Sequence, residues 1–163
     1  MDADEFNTRI ALAAEAVPEL IDNYIKGADD PETHQAFVVK ARELLGTTFA
    51  DVLSLLVALA EYAADKAGLE PNADPDNPDH AYIIRIFDKN GNLRDINQEP
   101  PAQVWSTRFM AAVWSNDTAQ VDALFHVFVT AMDSDAQGDA IRAVINACAQ
   151  VVLRAQQQKE GDT

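Results

Sequence analysis

Between Phe49 and Ala64 the chain reads FADVLSLLVALAEYAA, a segment that few folds can accommodate. At 3.6 residues per turn, Leu45, Phe49, Val52, Leu56, Leu59 and Ala63 fall on one row, which Leu53, Leu55, Val57 and Ala60 widen on both flanks. Asp51, Ser54 and Glu61, continued by Asp65, align as a single narrow polar stripe. A helix this apolar needs other helices around it. Its uncharged run from Val52 to Ala60 is about half of the roughly 20 residues that a membrane span requires. The segment therefore predicts the central helix, about 48–67, of a helical bundle.

The flanking sequence supplies partners for that helix. Phe6, Ile10, Ala13, Val17, Leu20 and Tyr24 alternate at spacings of four and three, a seam suited to helix packing over 4–26. Pro18 interrupts the seam and predicts a kink or break near Ala16, and Gly27 predicts a left-handed stop. Asp30-Pro31-Glu32 opens a second helix with Phe37, Val38, Ala41, Leu44 and Leu45 inward. Thr48 with Asp51 has the spacing of a capping arrangement at the start of the central helix.

Beyond Gly68 the character changes. Residues 69–81, LEPNADPDNPDHA, form an acidic, proline-punctuated stretch with no apolar face and read as an exposed loop. Tyr82 to Phe87 are β-branched, aromatic or basic, Asp88-Lys89-Asn90-Gly91 is a turn sequence, and Leu93 and Ile96 follow. This predicts a β-hairpin over about 82–96 that must lean on helices or pair with a second copy. Pro100-Pro101 then opens a helix carrying Val104, Trp105, Phe109, Ala112 and Val113. Asn116-Asp117 opens another, with Val121, Leu124, Phe125, Phe128, Val129 and Met132 inward. Ser134 with Gln137 has capping-box spacing for a last helix from 135 to about 157, and residues 158–163 read as a frayed tail. The sum is one mainly α domain over 1–163, a bundle of five to six helices with one small hairpin inserted mid-chain.

Charge limits the functions open to such a bundle. Twenty-seven acids against twelve bases give a net charge of −15, spread along the whole sequence. Direct nucleic-acid binding requires clustered Lys and Arg to displace counterions from phosphates, and anionic membranes make the same demand; no such cluster occurs. Acidity favours solubility and attraction to basic partners. The N-terminus lacks the basic and apolar regions of a secretory signal, so the cytoplasm is the expected location.

No catalytic or metal motif stands out. DKNGNLRDINQE places Asp88, Asn90, Asn92 and Glu99 at calcium-loop positions, but Leu93 sits where the loop needs glycine and Asp95 where it needs an apolar residue. Cys148 lies on the apolar row Ile141, Val144, Ile145, Cys148, Val152 and reads as a small buried hydrophobe. Glu61 and Asp65 share the polar stripe of the central helix, and His126 has Asp122 one turn before it. These three are the residues from which a polar site could be built, although a solvated helix face is the preferred reading of each. Trp105, Met110 and Trp114 form the best candidate partner interface, because Trp and Met are enriched where proteins meet. No cofactor or metal is expected.

The expected function is therefore non-enzymatic binding of another protein, a basic one suiting the acidity, by a chain that acts as a homodimer. Two alternatives stand beside it. The acidic surface could mimic nucleic acid and inhibit a basic DNA- or RNA-binding protein, or an unfamiliar helical active site could be assembled from distant residues.

Overall fold

The computed structural model describes residues 2–70 and 74–162. Among the described residues there are six α-helices: α1 (Ala3–Lys26), α2 (Pro31–Leu45), α3 (Phe49–Lys66), α4 (Pro101–Trp114), α5 (Thr118–Ala131) and α6 (Ser134–Gly161). They divide into two compact units. The first comprises residues 1–68 with 148–163, and the second comprises 69–147. The sequence of α6 thus begins in the second unit and ends in the first.

In the first unit α1 packs on α2 and α3. The Asp2 carboxylate accepts the Glu5 amide at its start. The helix then runs unbroken through Pro18, so the break expected near Ala16 is absent. Gly27 also departs from expectation, with φ at −67°, in the right-handed region. A Cβ there would lie 2.8 Å from the Cα of His34 and 2.7 Å from the Asn23 carbonyl oxygen. Glycine serves here because α2 starts so close to the end of α1. Tyr24 and Phe37 meet across the two helices with ring centroids 5.1 Å apart.

The apolar run of α3 has the environment its composition demands. Every residue from Ser54 to Ala60 is buried, as is Ala63. Ser54, the polar residue of that run, donates its hydroxyl to the Ala50 carbonyl at 2.7 Å. Thr48 and Asp51 form the reciprocal capping box. Cys148, near the C-terminal end of the chain, is buried and its thiol donates to the Leu59 carbonyl at 3.4 Å. Desolvation pushes that thiol up to about 12, which makes it inert as a nucleophile at neutral pH.

In the second unit, Pro101 opens α4 and Asp117 caps α5 by accepting the Gln120 amide. Asn116, just before that cap, takes the left-handed φ of 55° that asparagine tolerates. The cap of α6 differs from expectation. Asp133, not Ser134, accepts the Ala136 amide at 2.8 Å, and Gln137 sends its side-chain amide back to the carbonyls of Phe128 and Met132. Gln137 thereby satisfies the open end of α5. The last helix also continues through the segment read as a frayed tail, as far as Gly161.

The predicted β-hairpin does not form. No strand occurs among the described residues, and a single antiparallel bridge joins Phe87 to Leu93. The return arm leaves after that bridge because Asp95 accepts the Asn97 amide and starts a 3-10 turn over Ile96–Gln98. Of the acidic loop 69–81, residues 71–73 lie outside the described residues. A second 3-10 turn occupies Pro78–His80.

Candidate functional site

Residues 81–94 form an extended tongue. Asp88 fixes its tip: one carboxylate oxygen accepts the amides of Asn90 and Asn92 at 2.8 and 2.9 Å, and the other accepts the Asn92 side-chain amide at 3.2 Å. These bonds, led by the Asn92 backbone amide, hold the carboxyl below its usual range. Gly91 completes the tip with φ at 82°, as the turn sequence anticipated. The tip therefore closes by Asx geometry.

Two anchors hold the tongue within its unit. At its base the Tyr82 amide donates to the Ser115 hydroxyl at 2.8 Å, the Tyr82 hydroxyl donates to the Glu70 carbonyl, and the Tyr82 ring meets the Trp114 ring edge-on. On the return arm, Arg94 Nε lies 2.7 Å from the buried Glu99 carboxylate, as an ion pair whose geometry is off the hydrogen-bond line. An unpaired carboxylate there would be costly, so Arg94 ties the return arm to the start of α4.

Extended backbone sends alternate side chains to opposite faces. Tyr82, Ile84 and Ile86 are half-buried, whereas Ile83, Arg85 and Phe87 are exposed. Leu93 lies opposite Phe87 across the bridge. Ile83, Phe87 and Leu93 are 78%, 54% and 61% exposed, and together they make an apolar row with Arg85 set into it.

The two edges of the tongue differ as well. Ile86 and Asp88 face the return arm: the Asp88 amide donates to the Asn92 carbonyl at 2.9 Å, and the Arg94 amide donates to the Ile86 carbonyl at 2.8 Å. Among the described residues, the backbone amides and carbonyls of Ile83, Arg85 and Phe87 have no such partner. The outer edge is a row of open hydrogen-bonding groups beside an exposed apolar surface.

The residues singled out in sequence are placed differently. Trp105 and Met110 are buried and Trp114 is half-buried. Trp105 stacks on Phe109 at 5.0 Å, meets Phe128 at 5.4 Å and donates its indole N–H to the Leu124 carbonyl at 3.0 Å. In these positions Trp105 and Met110 present almost no surface to a partner. Glu61 and Asp65 are exposed one turn apart on α3, in the first unit, and desolvation by the neighbouring apolar surface raises the Glu61 pKa. His126 is exposed on α5, in the second unit. Among the described residues, no three His, Cys, Asp or Glu side chains are grouped to hold a metal ion.

A groove of about 370 Å³ lies in the first unit, lined by Arg9, Leu12, Glu43, Leu44, Asp51 and Ser54 among others. Arg9 donates to Asp51 at 2.6 Å and to Glu5 at 3.0 Å, so its charge is already matched. Among the described residues, no helix is long and apolar enough to cross a membrane. Comparison with protein-family models, curated proteins and solved structures returns no match.

Proposed function

We propose that this protein is a non-enzymatic binding protein whose contact surface is the tongue and whose ligand is another polypeptide. One observation carries the reading: Ile83, Phe87 and Leu93 stand in water beside a backbone edge that is open among the described residues. Exposed edges are usually blunted or covered because they template pairing with another chain. A peptide that adds a strand there supplies main-chain hydrogen bonds and gives the apolar row something to bury against. Charge does not single out either unit for nucleic-acid mimicry. The first carries fifteen acids and seven bases, the second twelve and five.

A photo-cross-linking amino acid placed at Phe87, compared with the same group at exposed His126, tests this. Irradiation in native lysate should yield polypeptide adducts from position 87 and few from position 126. Adducts of twice the chain's mass would identify homodimers, and adducts of other masses would identify a different partner. A position 87 that reacts only with water would overturn the reading.

A further inference from the structure

The tongue differs in charge from the rest of the molecule. Between Tyr82 and Arg94 the sequence holds Arg85, Lys89 and Arg94 against the single acid Asp88, in a chain whose net charge is −15. Asp88 is occupied in closing the tip, and Arg94 is paired with Glu99. Among the described residues, Arg85 and Lys89 have no acidic partner within ion-pair distance. Arg85 shares the outward face with Ile83 and Phe87, directly between them in sequence. The outer edge thus reads apolar, cationic, apolar at period two.

We infer that the tongue accepts one extended acidic strand, a peptide segment with one face that carries an Asp or Glu between two apolar residues at a spacing of two, laid along the Ile83–Arg85–Phe87 edge. This inference rests on the polypeptide-binding reading and deepens it. The strand's backbone meets the open amides and carbonyls of Ile83, Arg85 and Phe87. On that face its two apolar side chains lie beside Ile83 and Phe87 and its carboxylate lies opposite Arg85, with Lys89 following two positions beyond Phe87. Cross-strand pairs of opposite charge stabilise such a ladder, and like charges directly opposite destabilise it.

The same rule disfavours a second tongue as occupant. The antiparallel register that sets Ile83 against Phe87 of another copy also sets Arg85 against Arg85. The acids elsewhere on the molecule repel an acidic strand only weakly at physiological salt, where charges beyond about 8 Å are screened. The cations beside the edge act at contact distance.

The test uses the full chain and three fluorescent eight-residue peptides: one in which every second residue is serine and the residues between are valine and glutamate in turn, the same peptide with lysine for glutamate, and the glutamate peptide with alternate backbone nitrogens methylated. Anisotropy should show the glutamate peptide binding at least about tenfold more tightly than the lysine peptide, and N-methylation should remove the binding. The double variant R85E/K89E, altered at two exposed positions, should invert the preference. Equal binding of both charged peptides, indifference to N-methylation, or an unchanged preference in the double variant would overturn the inference. If neither charged peptide binds while position 87 still cross-links to a polypeptide, the acidic strand fails and the polypeptide-binding reading stands. If position 87 cross-links to nothing, the reading itself fails.

Discussion

At the scale of single residues, Asp51 is the most engaged side chain in the first unit. One carboxylate oxygen accepts the Thr48 hydroxyl at 2.8 Å, and the other takes the Arg9 guanidinium at 2.6 Å. The Thr48 hydrogen bond leads the contributions that hold its pKa below the ordinary 3.8. A carboxyl depressed in the folded state binds fewer protons there than in the unfolded chain. Its contribution to stability is complete well above pH 3.8 and disappears as pH falls through the lower folded value. Urea melts of the wild type and Asp51→Asn should therefore differ at pH 7 and converge as pH falls well below 3.8. Thr48→Ala should cost about 1 kcal/mol at pH 7 through loss of the cap. The 48–51 spacing revealed this cap in sequence. The Arg9 contact spans 42 positions and left no local trace.

Elements show how far sequence reading reached. The central helix was legible within a residue or so at each end, because the apolar composition of Val52–Ala60 has one physical solution. The candidate site was half legible. Turn chemistry at Asp88–Gly91 and the extended run Tyr82–Phe87 were visible, but the return strand was not available. Asp95 diverts it into a 3-10 turn, and a capping aspartate competes with strand pairing only once neighbouring backbone has chosen a side. Trp105 misled for a related reason: composition marks tryptophan as an interface residue, while the Leu124 carbonyl that accepts its N–H lies 19 positions away. At this scale Arg94→Met tests the tongue's anchor. Removing the cation leaves the buried Glu99 uncompensated and should cost about 1–3 kcal/mol. Amide exchange at Asp88 and Arg94, the amides bonded across the two arms, should accelerate, while the α4 amides from Trp105 onward stay protected.

For the whole molecule the division of the chain matters most. The first unit is discontinuous, its 68 N-terminal residues joined by 148–163. Cys148, Ala149 and Val152 are all buried, and the Cys148 thiol reaches Leu59. A chain truncated after Ala147 should lose more stability than any single core truncation such as Leu59→Ala, itself worth about 2–5 kcal/mol. Chemical denaturation should then show the two units melting apart. A single unchanged transition would contradict the division.

That discontinuity also sets an order of events during synthesis. The N-terminal helices emerge first, yet their last partner is encoded about 80 residues later, a wait of roughly 4–16 s at translation rates of about 5–20 residues per second. Residues 69–147 are complete on the ribosome before the opening helices receive residues 148–163. Within residues 1–163, the helices made earlier are completed later, and until then the greasy Ser54–Ala60 stretch lacks the part of its cover that residues 148–163 supply.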